Sequence, residues 1–464
     1  MNAVHLRTLA SMVMCGLLSS APVGAQEPAT FAIQNARIVP VSGPVIETGT
    51  IVIGGGLIRA VGARVEIPTE AVVIDGKGLT VYPGLIDAMT DFGLSPAAST
   101  PAAPGAGTGG PSAPPRAATP TRPARGPQDR PASTPWLQAA DEFRPDMRRL
   151  ETWRHGGFTA IVATPSVGIL PGQASVINLS GADRTEAVVR SAVALPISMR
   201  PQGGFASFPG SLMGVVAYVR QVFADTRHYA TLSRQYASNP RGRTRPEYDR
   251  TVVALHEALT AKMPVLLPAV TVPETDRMLL FGQELDVPTV LYGAHDAAAA
   301  APRLAQARVP VLVSLKWPEK SKDADPDAVE SLRVLELRER APATPAALAS
   351  QKVMFAFYSD GLGAPKDVMA SVRKAIAAGL SADAAVRAMT LDVAQIFGVA
   401  DRLGSLDAGK IANLVVTKGD LFGEKTTVEH VFVDGMRFDV PDTPTPDRTG
   451  PPPSAASPRR EGVR

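Results

Sequence analysis

The sequence predicts an α/β fold, a large parallel (β/α) barrel carrying a small β domain assembled from the two ends of the chain. Three observations predict it. Short apolar runs alternate with helical patterns over about 300 residues, from near 80 to near 400. β runs punctuated by glycine fill 31–80, and β character returns after 400. The 464 residues, 45% of them hydrophobic, suffice to bury one large core.

The first 25 residues carry the pattern of a cleavable secretory signal. Arg7 and the amino terminus are positive, residues 9–18 are mostly apolar, and Val23-Gly24-Ala25 sets small side chains before the cut. The apolar run is too short to span a bilayer. The mature chain is therefore expected outside the cytoplasm, periplasmic or secreted. Cleavage would also remove Cys15, the only cysteine, and with it any disulfide, thiolate metal ligand or cysteine nucleophile.

Within 31–80, Gly54-Gly55-Gly56 joins two apolar runs as a hairpin. A phosphate loop needs a following Lys-Ser/Thr and a helix, and neither is there. The barrel, expected over 81–402, has strand candidates at 79–86, 158–163, 264–267, 289–292, 309–314 and 353–358, with helical patterns at 250–261 and 365–378. The third and fourth strands are the least distinct. Residues 172–181, opening on a glycine and closing on one, read as a loop near the barrel mouth. After 400, the runs 412–416 and 428–433, with Asp434-Gly435 as a turn, return to β structure; 31–80 and 403–440 together are expected to form a composite β-sandwich.

Two stretches depart from this composition. Residues 95–135 hold 11 of the 43 prolines and residues 441–464 hold 7. Both have too little apolar surface to offset chain entropy and are expected to be disordered. The first, an insertion just past the first barrel strand, reads either as a cover over the mouth or as neutral spacer.

Charge excludes some partners. The 47 Lys and Arg against 44 Asp and Glu leave +3, too little excess for a nucleic-acid or membrane footprint. No nucleic acid and no membrane is expected as a partner.

Three passages together resemble a known family. Gly56-Leu57-Ile58-Arg59-Ala60-Val61-Gly62 and Val73-Ile74-Asp75-Gly76 lead into Tyr82-Pro83-Gly84-Leu85-Ile86-Asp87-Ala88. Downstream come Tyr358-Ser359-Asp360-Gly361, Ala377-Ala378-Gly379-Leu380 and Ala388-Met389-Thr390. Last is Asp401-Arg402-Leu403-Gly404-Ser405-Leu406-Asp407-Ala408-Gly409-Lys410, followed by Ala412-Asn413-Leu414-Val415-Val416. In order and spacing they resemble the amidohydrolase superfamily, in the branch similar to imidazolonepropionases and secreted dipeptidases. The resemblance implies a (β/α)8 TIM barrel, a divalent metal such as zinc at its mouth, and hydrolysis of carbon–nitrogen bonds in a small amide, cyclic amide or dipeptide.

The residues depart from what the resemblance implies. A His-x-His is expected at the end of the first strand, where Met89 and Asp91 stand. The fifth strand should close on histidine and runs into Pro268; the sixth has Tyr292, with His295 three residues on. Methionine is a poor ligand for a hard hydrolytic metal, and one carboxylate rarely holds zinc. No residue is therefore assigned to a metal, and no cofactor is read from the residues themselves. The eighth strand keeps Asp360, which in active relatives binds metal and takes the proton of the attacking water. Here it reads either as a general base or as a loop cap. His295 reads either as a displaced functional group or as a polar loop residue, and Asp87 as a residue that orders its turn. His155, at the end of a helical pattern, reads as a C-terminal cation or donor. Asp360 and His295 are the candidate catalytic residues.

Three functions follow. The chain is a hydrolase of small amides, by resemblance; or an inactive relative that binds a small amide-like ligand or pairs with an active homologue, in a homo- or hetero-oligomer; or a metal-independent enzyme using Asp360 with His295 or Tyr292.

Overall fold

Two segments of regular β pattern, one from each end of the chain, hydrogen-bond into a single sheet. A computed structural model describes residues 29–94, 130–181, 184–202, 208–320, 325 and 329–440. The expected signal, the tail from 441 and the insertion up to 129 lie outside the described residues. Strands β1 (Phe31–Ile38), β2 (Ile46–Gly54) and β3 (Leu57–Gly62) form an antiparallel meander, with Gly54 opposite Leu57 across the expected glycine hairpin. β4 (Val72–Asp75) pairs in parallel with the first half of β1, and β5 (Leu79–Pro83) with its end.

The barrel follows. β6 (Leu85–Thr90) is separated from β7 (Phe158–Ala163) by helices α1 (Ala139–Glu142) and α2 (Met147–His155). β8 (Ala174–Asn178), the single turn α3 (Arg184–Ala187) and β9 (Val188–Pro196) come next. Helices α4 (Leu212–Ser238) and α5 (Arg250–Thr260) precede β10 (Val265–Ala269). Then α6 (Val272–Glu284), β11 (Thr289–Gly293), α7 (Ala301–Ala307) and β12 (Val311–Ser314) follow in strict alternation. α8 (Leu332–Arg340) and α9 (Thr344–Ser350) lead to β13 (Phe355–Tyr358), and α10 (Pro365–Ala377), α11 (Ala382–Ala388) and α12 (Leu391–Ile396) complete the barrel. The chain then returns to the first sheet as β14 (Leu414–Lys418), β15 (Thr427–Val433) and β16 (Met436–Asp439), with β14 antiparallel to β5.

The first sheet runs β16-β15-β14-β5-β1-β2-β3, and its inner face buries Ile33, Ile38, Ile51, Ile53, Val81, Leu414 and Phe432. The second runs β6 to β13 in sequence order, and its two end strands lie against each other, so the sheet closes into a barrel. Alternate residues fill the interior: Ile86 and Ala88, Ala160 and Val162, Ala174 and Val176, then Leu266, Val290, Leu312 and Ala356. Intervening residues such as Leu85, Ile161, Leu267, Leu291, Val311 and Phe355 pack on the other side of the sheet, toward the helices. Phe158 there meets Trp153 of α2 edge-on at 4.8 Å.

Three expectations need correction. Residues 172–181 are not a loop: they contain β8, buried throughout and antiparallel to both β7 and β9. A strand buried on both faces has no polar alternation to betray it. The reversal explains the absence of a helix between β7 and β8, so strict β/α alternation lapses at this one strand. Second, the candidate strand at 79–86 is two strands. β5 belongs to the composite sheet and β6 to the barrel, and they divide at Gly84, where a Cβ would lie 2.1 Å from Thr159 Oγ1. Third, the last residues of the insertion, 130–135, are ordered: Arg130 pairs with Asp225 at 2.6 Å and Asp249 at 2.8 Å. Ser133 also shares a 2.8 Å hydrogen bond with the Tyr218 hydroxyl.

Candidate functional site at the barrel mouth

The parallel strands all end on one face, and the residues that follow them meet there. β6 ends in Met89 and Thr90, β9 leads to Arg200, and β11 carries Tyr292 with His295 just beyond it. β12 ends in Ser314, and β13 is followed by Ser359 and Asp360.

Ser314 organises this face. It stands beside Tyr358 in the β12–β13 register. Its hydroxyl donates to Asp360 Oδ2 at 2.7 Å and accepts from the Lys316 amide at 3.1 Å. Its carbonyl lies 3.2 Å from His295 Nε2. A carbonyl only accepts, so Nε2 carries the hydrogen and the neutral ring leaves Nδ1 unprotonated. Burial holds the His295 pKa below its ordinary value, opposed by the Ser314 bond and the Asp360 charge. Trp317, with its ring 5.8 Å away, packs beside the imidazole, and Thr344 Oγ1 donates to the His295 carbonyl at 2.9 Å.

Asp360 itself is exposed and takes a left-handed backbone, φ +49°, before Gly361 at φ +80°. Aspartate tolerates that conformation better than most residues. The tight turn aims its carboxylate back at β12.

Asp87 lies deeper, 2% exposed. Its Oδ1 accepts from the Ser359 amide at 2.9 Å and its Oδ2 from the Ser359 hydroxyl at 2.6 Å. These bonds join the first barrel strand to the end of the last, across the seam where the sheet closes. Burial pushes the Asp87 pKa up to about 7, against the lowering effect of the two Ser359 bonds.

Two phenols complete the face. Burial pushes Tyr292 up to about 12, with Arg200 pulling down and Asp360 pushing up. Tyr358 is raised well above its ordinary value, first by burial and then by the Asp360 charge. Both remain protonated at neutral pH. Chemically, the mouth offers a carboxylate acceptor, phenolic hydroxyls, a guanidinium and an apolar wall that includes Met89, packed against the barrel interior.

Asp360 and His295 thus meet through a third residue. One binds the Ser314 hydroxyl and the other its carbonyl, and no hydrogen bond joins the two directly among the described residues. Sequence reasoning passed over Ser314, Ser359 and Arg200. The available signal was a serine closing the apolar run Val311-Leu312-Val313. The remaining described histidines lie elsewhere: His256 meets the Tyr229 ring edge-on, and His430 Nδ1 is 3.3 Å from Asp439. At the end of α2, His155 has its pKa lowered by burial and by Arg154, which disfavours the expected cationic form.

The donor set does not fit the divalent metal that the resemblance implies. Among the described residues no three His, Cys, Asp or Glu side chains converge on one point. Asp87 is committed to Ser359, Asp360 to Ser314, and Met89 faces the barrel interior. Structural and catalytic zinc sites need three or four protein donors.

The comparisons agree with the fold. Residues 277–437 match the model of the amidohydrolase family. Comparison with curated proteins returns no match. Among solved structures, an amidohydrolase from Thermotoga maritima is 24% identical, with a TM-score of 0.71 over 88% of this chain and all of its own. A prolidase complexed with N-methylphosphonate-L-proline is 18% identical, with a TM-score of 0.52 over 88% of this chain and 99% of its own. A Xaa-Pro dipeptidase with methionine bound in its active site is 16% identical, with a TM-score of 0.52 over 89% of this chain and all of its own. The matched segment runs from α6 through β11, β12 and β13 to β16, and so includes His295, Ser314 and Asp360. That segment therefore matches the amidohydrolase family, and the chain as a whole shares the fold of these solved structures.

Proposed function

We propose that this chain is a non-hydrolytic member of the amidohydrolase superfamily, working outside the cytoplasm, whose barrel mouth binds a small amide-like ligand. One observation carries the reading: Asp360, the one residue of the implied metal site that this chain keeps, is held by the Ser314 hydroxyl at 2.7 Å, and among the described residues no three His, Cys, Asp or Glu side chains converge beside it. An amide presents one donor and one acceptor. Asp360 suits the first, and Tyr292 or Arg200 the second. The structural likeness to a Xaa-Pro dipeptidase makes a proline dipeptide a natural probe.

The test has two readouts on protein purified without chelator and offered zinc, manganese and iron. Metal analysis should find below about a tenth of an equivalent per chain. Calorimetry with glycyl-proline and with the cyclic amide hydantoin should show saturable binding of at least one, without hydrolysis. The family match favours a second reading, hydrolysis of small carbon–nitrogen bonds. About one metal per chain, lost together with turnover on chelation, would establish it and remove the first.

A further inference from the structure

A large cavity among the described residues lies away from the mouth. It measures about 1110 Å³ and lies at the opposite end of the barrel. Pro264, Pro288, Pro310 and Met354 in its wall lead into β10, β11, β12 and β13, whereas the mouth residues follow those strands. Leu279, Val290 and Ile396 supply an apolar floor.

The rim is basic. Arg227, Arg234, Lys262 and Arg308 line the cavity, with His256 beside them, and Asp286 is the one acid among the lining residues. Arg227 and Arg234 stand seven residues apart on α4, two turns along one face. Lys262 and Arg308 occupy the turns after α5 and α7 in left-handed backbone, at φ +52° and +53°. Such turns ordinarily favour glycine; here each carries a long cation.

These cations are not consumed by the fold. Arg227 donates to the Leu285 carbonyl, and Arg234 Nη2 reaches Thr231 Oγ1 at 3.4 Å. None of the four forms an ion pair among the described residues. By contrast, Arg220 and Arg303 on nearby surface are matched by Glu284 at 2.6 Å and Asp276 at 2.7 Å. Part of the positive charge offsets the carboxyl ends of α5, α6 and α7, which point to the same side. Leu285 already receives the Arg227 guanidinium there, which leaves Arg234, Lys262 and Arg308 facing one cavity.

We infer that this basin is a second binding site, for a small molecule carrying two or more phosphate or carboxylate groups on a partly apolar body. Guanidinium groups pair with either anion through two parallel N–H bonds, and the floor accepts an apolar portion. The volume exceeds what a drug-sized ligand needs.

Calorimetry at about 50 mM salt with pyrophosphate and with citrate tests it, the two probes separating phosphate from carboxylate preference. Saturable binding of at least one is expected. The R234A/R308A variant should weaken it at least about tenfold, while R234K/R308K, which keeps the charge but not the paired N–H bonds, should fall between that variant and the parent. D360N at the mouth should leave it unchanged, which separates this site from the amide site. No saturable binding of either probe, or affinity undiminished in R234A/R308A with the circular dichroism of the parent, would overturn the inference.

Discussion

Ser314 donates its hydroxyl to Asp360 at 2.7 Å from the neighbouring strand, so the exposed carboxylate at the mouth is positioned by a side chain that is itself fully buried. His295, on the Ser314 carbonyl, braces the same residue from the other side. The mouth is built as one hydrogen-bonded unit.

If so, Ser314 and Asp360 act together. S314A and D360A should each weaken glycyl-proline or hydantoin binding, whichever is bound. A double-mutant cycle should show coupling of about 1 kcal/mol in binding free energy. Additive losses in calorimetry would show that the serine does not position the carboxylate.

Asp87 predicts a pH dependence of stability. Its folded pKa, near 7, stands above the usual carboxylate value, so between about pH 4 and pH 7 the folded state holds more protons than the unfolded one. Its contribution is fully present below the unfolded pKa and is lost as pH rises through the folded one. Stability of the parent should therefore fall from pH 4 to pH 7 relative to D87N, by an amount of the order of a few kcal/mol. Parallel urea-denaturation curves for the two proteins across that window would contradict the assignment.

Asp87 also holds the barrel seam. D87A strands the Ser359 amide and hydroxyl in a buried site, at a cost of about 1–3 kcal/mol. Thermal unfolding at pH 5 should show the loss, because Asp87 is largely protonated there and its charge is no longer at issue.

Arg130 fixes the chain where it rejoins the barrel. R130M removes both ion pairs and leaves Asp225 and Asp249 without their shared cation. The partly exposed pairs contribute about 1 kcal/mol, a drop of roughly 1 °C in the melting midpoint of a chain this long. No change in the midpoint would mean that Ser133 and Tyr218 suffice to anchor the segment.

Gly84 divides composite sheet from barrel. A Cβ there would come within 2.1 Å of Thr159 Oγ1 and 2.6 Å of Thr159 Cβ, too close to both for a rotamer change of Thr159 to relieve. G84A should destabilise by about 1–3 kcal/mol, and T159G, added to it, should recover part of the loss.

Much of the architecture was legible because it rests on local chemistry. Apolar runs bounded by glycine and proline mark β1 to β3 and β10 to β13, since strands buried in a sheet must be apolar wherever they fall. The hairpin at Gly54-Gly55-Gly56 was legible for the same reason. β8 was not: Ala174-Ser175-Val176-Ile177-Asn178 has no period, and its reversed direction depends on pairing with β7 and β9 rather than on its own residues. The break at Gly84 is likewise set by Thr159, 75 positions away in the chain.

The site divides along the same line. Sequence by itself determined that Asp360 and His295 would follow the eighth and sixth strands, and that Met89 and Asp91 would replace the expected histidine pair. Only tertiary structure decided what those groups can do. The bond from Ser314 to Asp360 spans 46 residues and that from Ser359 to Asp87 spans 272. A carboxylate's role is set by which donors surround it and how deeply it is buried, and closing the barrel is the step that brings those donors to it.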